Sequence, residues 1–506
     1  MSQIDELTAD VPVGDQATST TSSEHRRFLF VVLALVVIGV WLLPARRSLW
    51  IDEAGTYWVV KDGLSQTWHR ALTFQGQSPL FYLVEWVARA ATGRSEIGLR
   101  LPSLISSVVS LFLLFRLSRR LIGEEGAWIA SIIFACLGSV AVEASEARPY
   151  AFALMLLLAS TLSLVRWLDV GKLRYGAAYA ILVAATVYAH YLFVLPVAAH
   201  LVYFWYRRHN TPVRPRTYAA VLVCAAALAS PSFVQLASLL GRRHSLEIPT
   251  SLAFKDFIYV LAPSSIVIGI LGGWLIARWV DRCSLSQIET GRWDRALIAT
   301  WWVVPPLALY FFSVATRTTL FVPRYFLSAA PALALIPAWW ISRLLSERAR
   351  RIVVTAVVLL SVLVLPDVLR AQDEGWRAAL HDANSLSLSR QTPILIRTAL
   401  TESWQATWLL QPERASYLLS PIYMYPIRGR AYPMPLYLNA ATREYLNRLA
   451  SNVLIGSQRF VTISREFDPF ELWIEGRMEP LGFRPTFSNS YGKVSLTLFE
   501  RDPKSR

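Results

Sequence analysis

Apolar runs close to the length that crosses a bilayer recur through the first 366 positions, and no other feature of the chain limits its possible folds as severely. A hydrocarbon core of roughly 30 Å takes about 20 apolar residues per helix. Within that core each backbone amide must find its partner inside the segment, so such runs fold as membrane helices. The pattern predicts about eleven spans, centred near Val36, Val108, Ile133, Leu157, Val183, Val197, Ala227, Ile268, Pro305, Ala334 and Val358. Arg26-Arg27 precede the first, Phe28 to Leu43, which reads as a signal anchor because no small-residue cleavage site follows it. Residues 1–25 are polar, lack an apolar face and read as a disordered cytoplasmic tail. Composition agrees, with 54% hydrophobic and 17% charged residues among 506.

The split between the fifth and sixth spans falls at Tyr188-Ala189-His190-Tyr191, read as a tight turn. With that turn, the connectors Arg116 to Arg120, Arg166 to Arg174, Arg207 to Arg216, Arg278 to Arg295 and Arg343 to Arg351 all fall on one side. They hold about 18 Lys/Arg against about 6 in the short opposite connectors, the bias that marks a cytoplasmic face. The formal net charge of +15 therefore reflects topology, because the arginines lie between apolar runs and form no nucleic-acid-binding motif. Cys136 and Cys224 sit inside apolar runs and Cys283 in a polar connector, without metal-ligand spacing, so neither a disulfide framework nor a zinc site is expected.

This topology leaves two extracytoplasmic segments. Residues 45–97 form a first loop whose stretches Tyr57 to Trp68 and Leu80 to Ala91 are amphipathic and rich in Trp and Tyr, as interfacial helices are. Residues 367–506 form a separate domain beyond the membrane portion at 26–366. There Pro393 to Ile396, Phe460 to Ile463 and Val494 to Leu498 read as strands and Thr442 to Leu449 as a helix, giving a compact α/β domain. The fold class is thus a polytopic α-helical membrane protein with a C-terminal extracytoplasmic α/β domain.

The acidic pair Asp52-Glu53 opens the first loop. Neighbouring side chains point apart in a helix or a strand, so one carboxylate would react while the other holds structure or substrate. An Asp at a helix start serves equally well as a cap, and spacing alone does not separate that role from catalysis. Glu143, Glu146 and Arg148, with Tyr150 after Pro149, form a second group, either solvated loop charges or a phosphate fork. His190-Tyr191 form a third, and Arg317 with Arg324-Tyr325 a fourth, with packing and snorkelling as their plainer roles. All of these fall at the same outer membrane level, a convergence expected of a site.

In order, Trp50-Ile51-Asp52-Glu53, Ser78-Pro79-Leu80-Phe81-Tyr82, Leu99-Arg100-Leu101-Pro102-Ser103, Glu146-Ala147-Arg148-Pro149-Tyr150, His190-Tyr191 and Arg324-Tyr325 resemble bacterial glycosyltransferases of the protein O-mannosyltransferase-like group. Gly375-Trp376-Arg377-Ala378-Ala379 resembles a segment that follows the last span in bacterial members. The resemblance implies the C-type glycosyltransferase fold, a bacterial inner-membrane location and a polyprenyl-phosphate-linked sugar donor, without metal or other cofactor. The acceptor would be an extracytoplasmic protein, lipid or polysaccharide. Asp52 would be the base with Glu53 its helper, while Arg148, Arg324, Arg317, His190, Tyr191, Tyr325, Glu146 and Tyr150 would bind substrate. The related aminoarabinose transferases use a second acid in this loop; Glu85 and Glu96 are the available residues, and neither matches the motif. The alternative function is a transporter or lipid flippase, whose charges would line a path near the bilayer midplane.

Overall fold

The computed structural model describes residues 23–75, 79–241, 253–280, 291–316, 320–370, 373–386, 388–465 and 469–502. Among them, five segments are long and apolar enough to cross a membrane alone: Ser23–Arg46, Glu96–Cys136, Pro149–Val170, Arg292–Thr316 and Pro323–Ser342. Phe254–Leu261 and Ser264–Val280 form an apolar helix pair bent by 54°, and Leu173–Ala189 and Pro215–Ala229 are shorter apolar helices.

The first helix, α1 (Ser23–Val36), continues through a π-helical turn to Leu42. It begins inside the stretch expected to be a tail, since His25 is buried against Glu125. The first loop folds as α2 (Ile51–Val60), α3 (Leu64–Thr73) and α4 (Leu80–Thr92). The amphipathic stretch expected over Tyr57 to Trp68 is therefore interrupted around Gly63. The acidic pair lies within the first turn of α2, where the helix dipole favours negative charge.

The next helix, α5 (Glu96–Cys136), is not straight, for Gly123 adopts φ +85° in its middle, a conformation costly for any residue with a Cβ. Its contacts give the two halves opposite directions. Arg100 near the start donates to the carbonyls of Ala45 and Arg47 at the end of the first span. Past the break, Glu125 meets His25 at the beginning of that span, and the Ala135 carbonyl accepts from Trp41 Nε1 near its end. One element thus supplies both crossings expected around Val108 and Ile133.

There follow α6 (Gly138–Ala144), α7 (Pro149–Val170), α8 (Leu173–Ala189), α9 (Val197–Arg207), α10 (Pro215–Ala229), α11 (Ser232–Gly241), α12 (Phe254–Leu261) and α13 (Ser264–Val280). The turn after α8 is present, but a 3₁₀ segment at Tyr191–Val194 and Pro196 displace the sixth crossing, so its expected centre Val197 is the first residue of α9. The membrane portion closes with α14 (Arg292–Thr316), a 3₁₀ stretch Pro323–Ala329 leading into α15 (Ala330–Ser342), and α16 (Glu347–Arg370). Helices α13 and α16 pack closely: a Cβ on Gly269 would stand 2.8 Å from Val357 Cα, and one on Gly273 2.9 Å from Val353 Cα. Small residues at such a seam let helices without a hydrophobic driving force between them gain van der Waals contact.

Two ionic clusters tie the connectors together. Asp169 accepts from Arg207 at 2.8 Å and from Arg120 at 3.1 Å, while Asp294 accepts from Tyr203. Glu125 pairs with both His25 and Arg350.

The carboxyl-terminal domain is built on a five-stranded sheet of order β2-β1-β3-β5-β4. Its strands are β1 (Pro393–Arg397), β2 (Arg430–Pro433), β3 (Arg459–Arg465), β4 (Phe483–Tyr491) and β5 (Val494–Arg501). Strand β1 runs parallel to β2 and β3, and β5 runs antiparallel to β3 and β4. Strand β1 is buried throughout, as a parallel strand covered on both faces must be. One face packs under α17 (Trp376–Ser385) with Ile394, Val461 and Leu496; the other buries Leu395, Phe460 and Phe499 with Leu446 and Leu449 of a helix at Ala440–Leu449. Between β1 and β2, short helices at Ala406–Leu410, Pro412–Leu418 and Ser420–Met424 reach the first loop, so Tyr417, Leu418 and Met424 share a core with Trp58, Phe74 and Phe81.

Candidate active site

The acidic pair divides as the helix geometry requires. Glu53 is 0% exposed. Its Oε1 accepts from Arg100 Nε at 2.7 Å and from the Ala147 amide at 2.8 Å, and its Oε2 accepts from Arg100 Nη2 and from the Trp50 amide at 3.2 Å. Arg100 spends its other donors on the carbonyls of Ala45, Arg47 and Ser48. A buried carboxylate and guanidinium with this many partners is a structural knot joining α1, α2, α5 and the segment before α7.

Asp52 faces the other way, and its side chain is 22% exposed. Its Oδ2 accepts from Arg324 Nη1 at 3.0 Å and lies 3.6 Å from Arg148 Nη2. Arg148 also donates to the Asp52 carbonyl at 3.4 Å. Burial pushes this carboxyl upward, but the charges of Arg148 and Arg324 outweigh it and hold the group below its ordinary range, so it is ionised at neutral pH. One carboxylate against two guanidiniums leaves the site with an excess positive charge, suited to an anion.

The aromatic residues beside this triad are brought together. Tyr150 lies under both arginines, with ring centroids about 6 Å from each guanidinium. His190 lies between Tyr150 and Tyr325, with ring centroids 4.9 and 5.6 Å away and planes tilted by 45° and 46°, while its Nδ1 accepts from the Leu192 amide. Burial, reinforced by Arg148 and Arg324, lowers the imidazole to about 3, so it is neutral. Tyr191 turns elsewhere and donates to Gln235 of α11 at 2.8 Å. Arg317 lies outside the described residues.

Three further carboxyls approach the site without a full set of partners. Glu146 is buried with an oxygen that has no hydrogen-bond partner among the described residues, and burial followed by the charges of Glu143 and Glu53 raises it well above the usual range. Glu143 is raised to about 8, chiefly by burial. Glu85 of α4 is fully buried, and neither of its oxygens has such a partner. Its carboxyl is raised well above the ordinary value by burial and then by Glu53. Among the described residues, no group of three or more His, Cys, Asp or Glu side chains gathers as a metal site.

An apolar groove of ≈ 570 Å³ opens between α13, α14 and α15, lined by Ile266, Ile270, Trp274, Trp302, Ile336 and Trp340. The stretch Pro323–Ala329 that carries Arg324 runs directly into α15, one wall of this groove.

Comparison with known proteins then settles the architecture. Residues 76–234 match the family described as dolichyl-phosphate-mannose-protein mannosyltransferase. The fold matches that of ArnT from Cupriavidus metallidurans bound to undecaprenyl phosphate, with TM-score 0.57 and 11% identity over 94% of this chain and 98% of that one. The chain has the fold of a C-type membrane glycosyltransferase. The apo state of the same ArnT gives TM-score 0.55 over the same coverage, again at 11% identity. Arabinofuranosyltransferase AftD from Mycobacteria shares this C-type fold at TM-score 0.51 and 15% identity, over 95% of this chain and 40% of AftD. No curated protein matches the chain in sequence.

Two residues beside Asp52 carry little or no signal in the sequence. Glu374 accepts from the Ile51 amide at 3.0 Å, immediately before Asp52, and its only sequence signal is adjacency to Gly375-Trp376. Arg465, at the end of β3, has no signal at all.

Proposed function

We propose that the protein is an inverting glycosyltransferase that takes sugar from a polyprenyl-phosphate-linked donor at the outer face of a bacterial inner membrane. The amino terminus is cytoplasmic, the carboxyl-terminal domain is extracytoplasmic and the acceptor presents a hydroxyl. The observation that carries this reading is Asp52, held by Arg148 and Arg324 at the start of α2. Two guanidiniums can fork onto a phosphate head, and the apolar groove walled by α15, the helix that continues from the Arg324 stretch, suits a prenyl tail. ArnT bound to undecaprenyl phosphate shares the fold, and the matched family uses dolichyl-phosphate-mannose.

The same contacts account for the timing of the base. With both arginines on Asp52, its carboxylate is a poor proton acceptor. A donor phosphate draws the guanidiniums to itself and releases the carboxylate. Asp52 then takes the proton from the acceptor hydroxyl as that oxygen bonds to the anomeric carbon from the face opposite the phosphate. The bond from that carbon to the phosphate oxygen breaks, its electron pair leaves with the lipid phosphate, and Arg148 and Arg324 stabilise the departing charge. Glu53, with its oxygens taken by Arg100 and backbone amides, positions α2 and makes no contact with substrate. Neutral His190 and the rings of Tyr150 and Tyr325 form the aromatic wall beside the arginines.

Purified Asp52→Asn tests the reading. Transfer from a synthetic polyprenyl-phosphate sugar should fall by roughly 10²–10⁴-fold, while the protein stays folded and still binds donor. Retained transfer would remove Asp52 as the base.

A further inference from the structure

We propose that Glu374 and Arg465 of the carboxyl-terminal domain are positioning residues for Asp52, fixing the helix that bears it and completing the ring of charge around it. The inference rests on Asp52 being the base. Helix α2 begins without a side-chain cap of the usual kind, because Trp50 stands at the capping position and offers no acceptor. The Trp50 amide turns to Glu53, and the Ile51 amide finds Glu374 Oε2 at 3.0 Å. The same oxygen accepts from Trp376 Nε1 at 2.9 Å, and the other stands 2.7 Å from Arg465 Nε in an ion pair. Glu374 is 1% exposed, and its backbone carbonyl also accepts from the Lys493 amide at 3.3 Å. Gly375 holds the turn in place: it adopts φ +81°, and a Cβ there would come within 2.0 Å of the Tyr491 carbonyl oxygen. A carboxylate from residue 374 is thus delivered to the amino-terminal turn of a helix that begins at residue 51, one position before the proposed base.

The charges also reach Asp52. Arg148 ahead of α7, Arg324 ahead of α15 and Arg465 on β3 all favour its ionised form. Glu143 on α6 and Glu374 oppose that form, and the rings of Tyr82 on α4 and Tyr417 before β2 complete the surroundings. Removing the Arg465 cation makes Asp52 harder to ionise, whereas removing the Glu374 anion makes it easier. The two substitutions therefore act in opposite directions, which loss of packing would not do.

The test is the pH dependence of kcat/KM for transfer by the full-length protein in detergent. The acid limb should move to higher pH in Arg465→Gln, return in Arg465→Lys, and move to lower pH in Glu374→Gln, with kcat of Glu374→Gln reduced about ten-fold and donor KM unchanged. Acid limbs that stay in place, or move together, overturn the proposal. A second measurement is independent of activity: amide exchange in the peptide over residues 49–56 should quicken in Glu374→Ala, and unchanged exchange also overturns it. Asp52→Asn separates this failure from that of the broader reading. If that variant is inactive while the limbs stay put, only the positioning role is lost; if it is active, the base assignment goes first.

Discussion

At the scale of single residues, the site is organised around the Asp52 carboxylate, which Arg148 and Arg324 hold below its ordinary range and which, in the proposed mechanism, a competing anion releases. Arg324→Ala tests this directly. Donor KM should rise and kcat/KM fall by about 10²-fold, and the acid limb should move upward as Asp52 loses one of the two charges that depress it. The stability consequence has a definite sign. Because the folded-state value of Asp52 lies below its ordinary 3.8, its contribution is present above that value and is lost as pH falls through the depressed one. Arg324→Ala shrinks that contribution, so the variant should unfold at a higher pH than the wild type in an acid titration followed by tryptophan fluorescence. Asp52, Arg148 and Arg324 were legible in the chain because each sits in a short motif at a predicted membrane edge. Tyr191 was misleading for the same reason: adjacency to His190 placed it in the group, yet a one-residue step turns its hydroxyl to Gln235. Arg100 and Glu374 were invisible as a pair of anchors, since an arginine at the start of an apolar run and a glutamate after the last one do not announce that they clamp the same ten-residue helix.

At the scale of elements, the apolar runs translate into helices with few surprises, because a bilayer leaves the backbone no other economical way to satisfy itself. What they do not reveal is close approach. The seam of α13 on α16 depends on Gly269 and Gly273, which in sequence merely dilute an apolar run. Gly273→Leu should force these helices apart and cost about 1–3 kcal/mol, seen as a lower unfolding temperature in detergent. In the sheet, β1, β3 and β5 were readable because they are buried and rich in Ile, Val, Leu and Phe. The two edge strands were not. Strand β2 is four residues with an arginine and a proline, and β4 runs through Thr486, Ser488, Asn489 and Ser490 with most positions exposed. Edge strands are held by their neighbour's backbone more than by their own side chains, so propensity does not mark them.

At the scale of the whole molecule, the sequence suggests two domains and the structure joins them through a shared core. Trp58 is fully buried, packs against Phe74 and Tyr417, and donates to Ser416 at 2.8 Å. Trp58→Ala should therefore cost about 3–5 kcal/mol and expose both the first loop and the carboxyl-terminal domain to protease, where independent domains would lose protection in the loop alone. The distance along the chain between Glu374 and the amide it caps has a further consequence. During synthesis, residue 51 is made 323 positions before the carboxylate that completes its helix. A chain halted after its last apolar helix would carry Asp52, Arg148 and Arg324 with the first turn of α2 still uncapped by Glu374. The capped first turn of α2 thus forms only after the carboxyl-terminal domain has been made, so a product truncated before residue 374 would lack it.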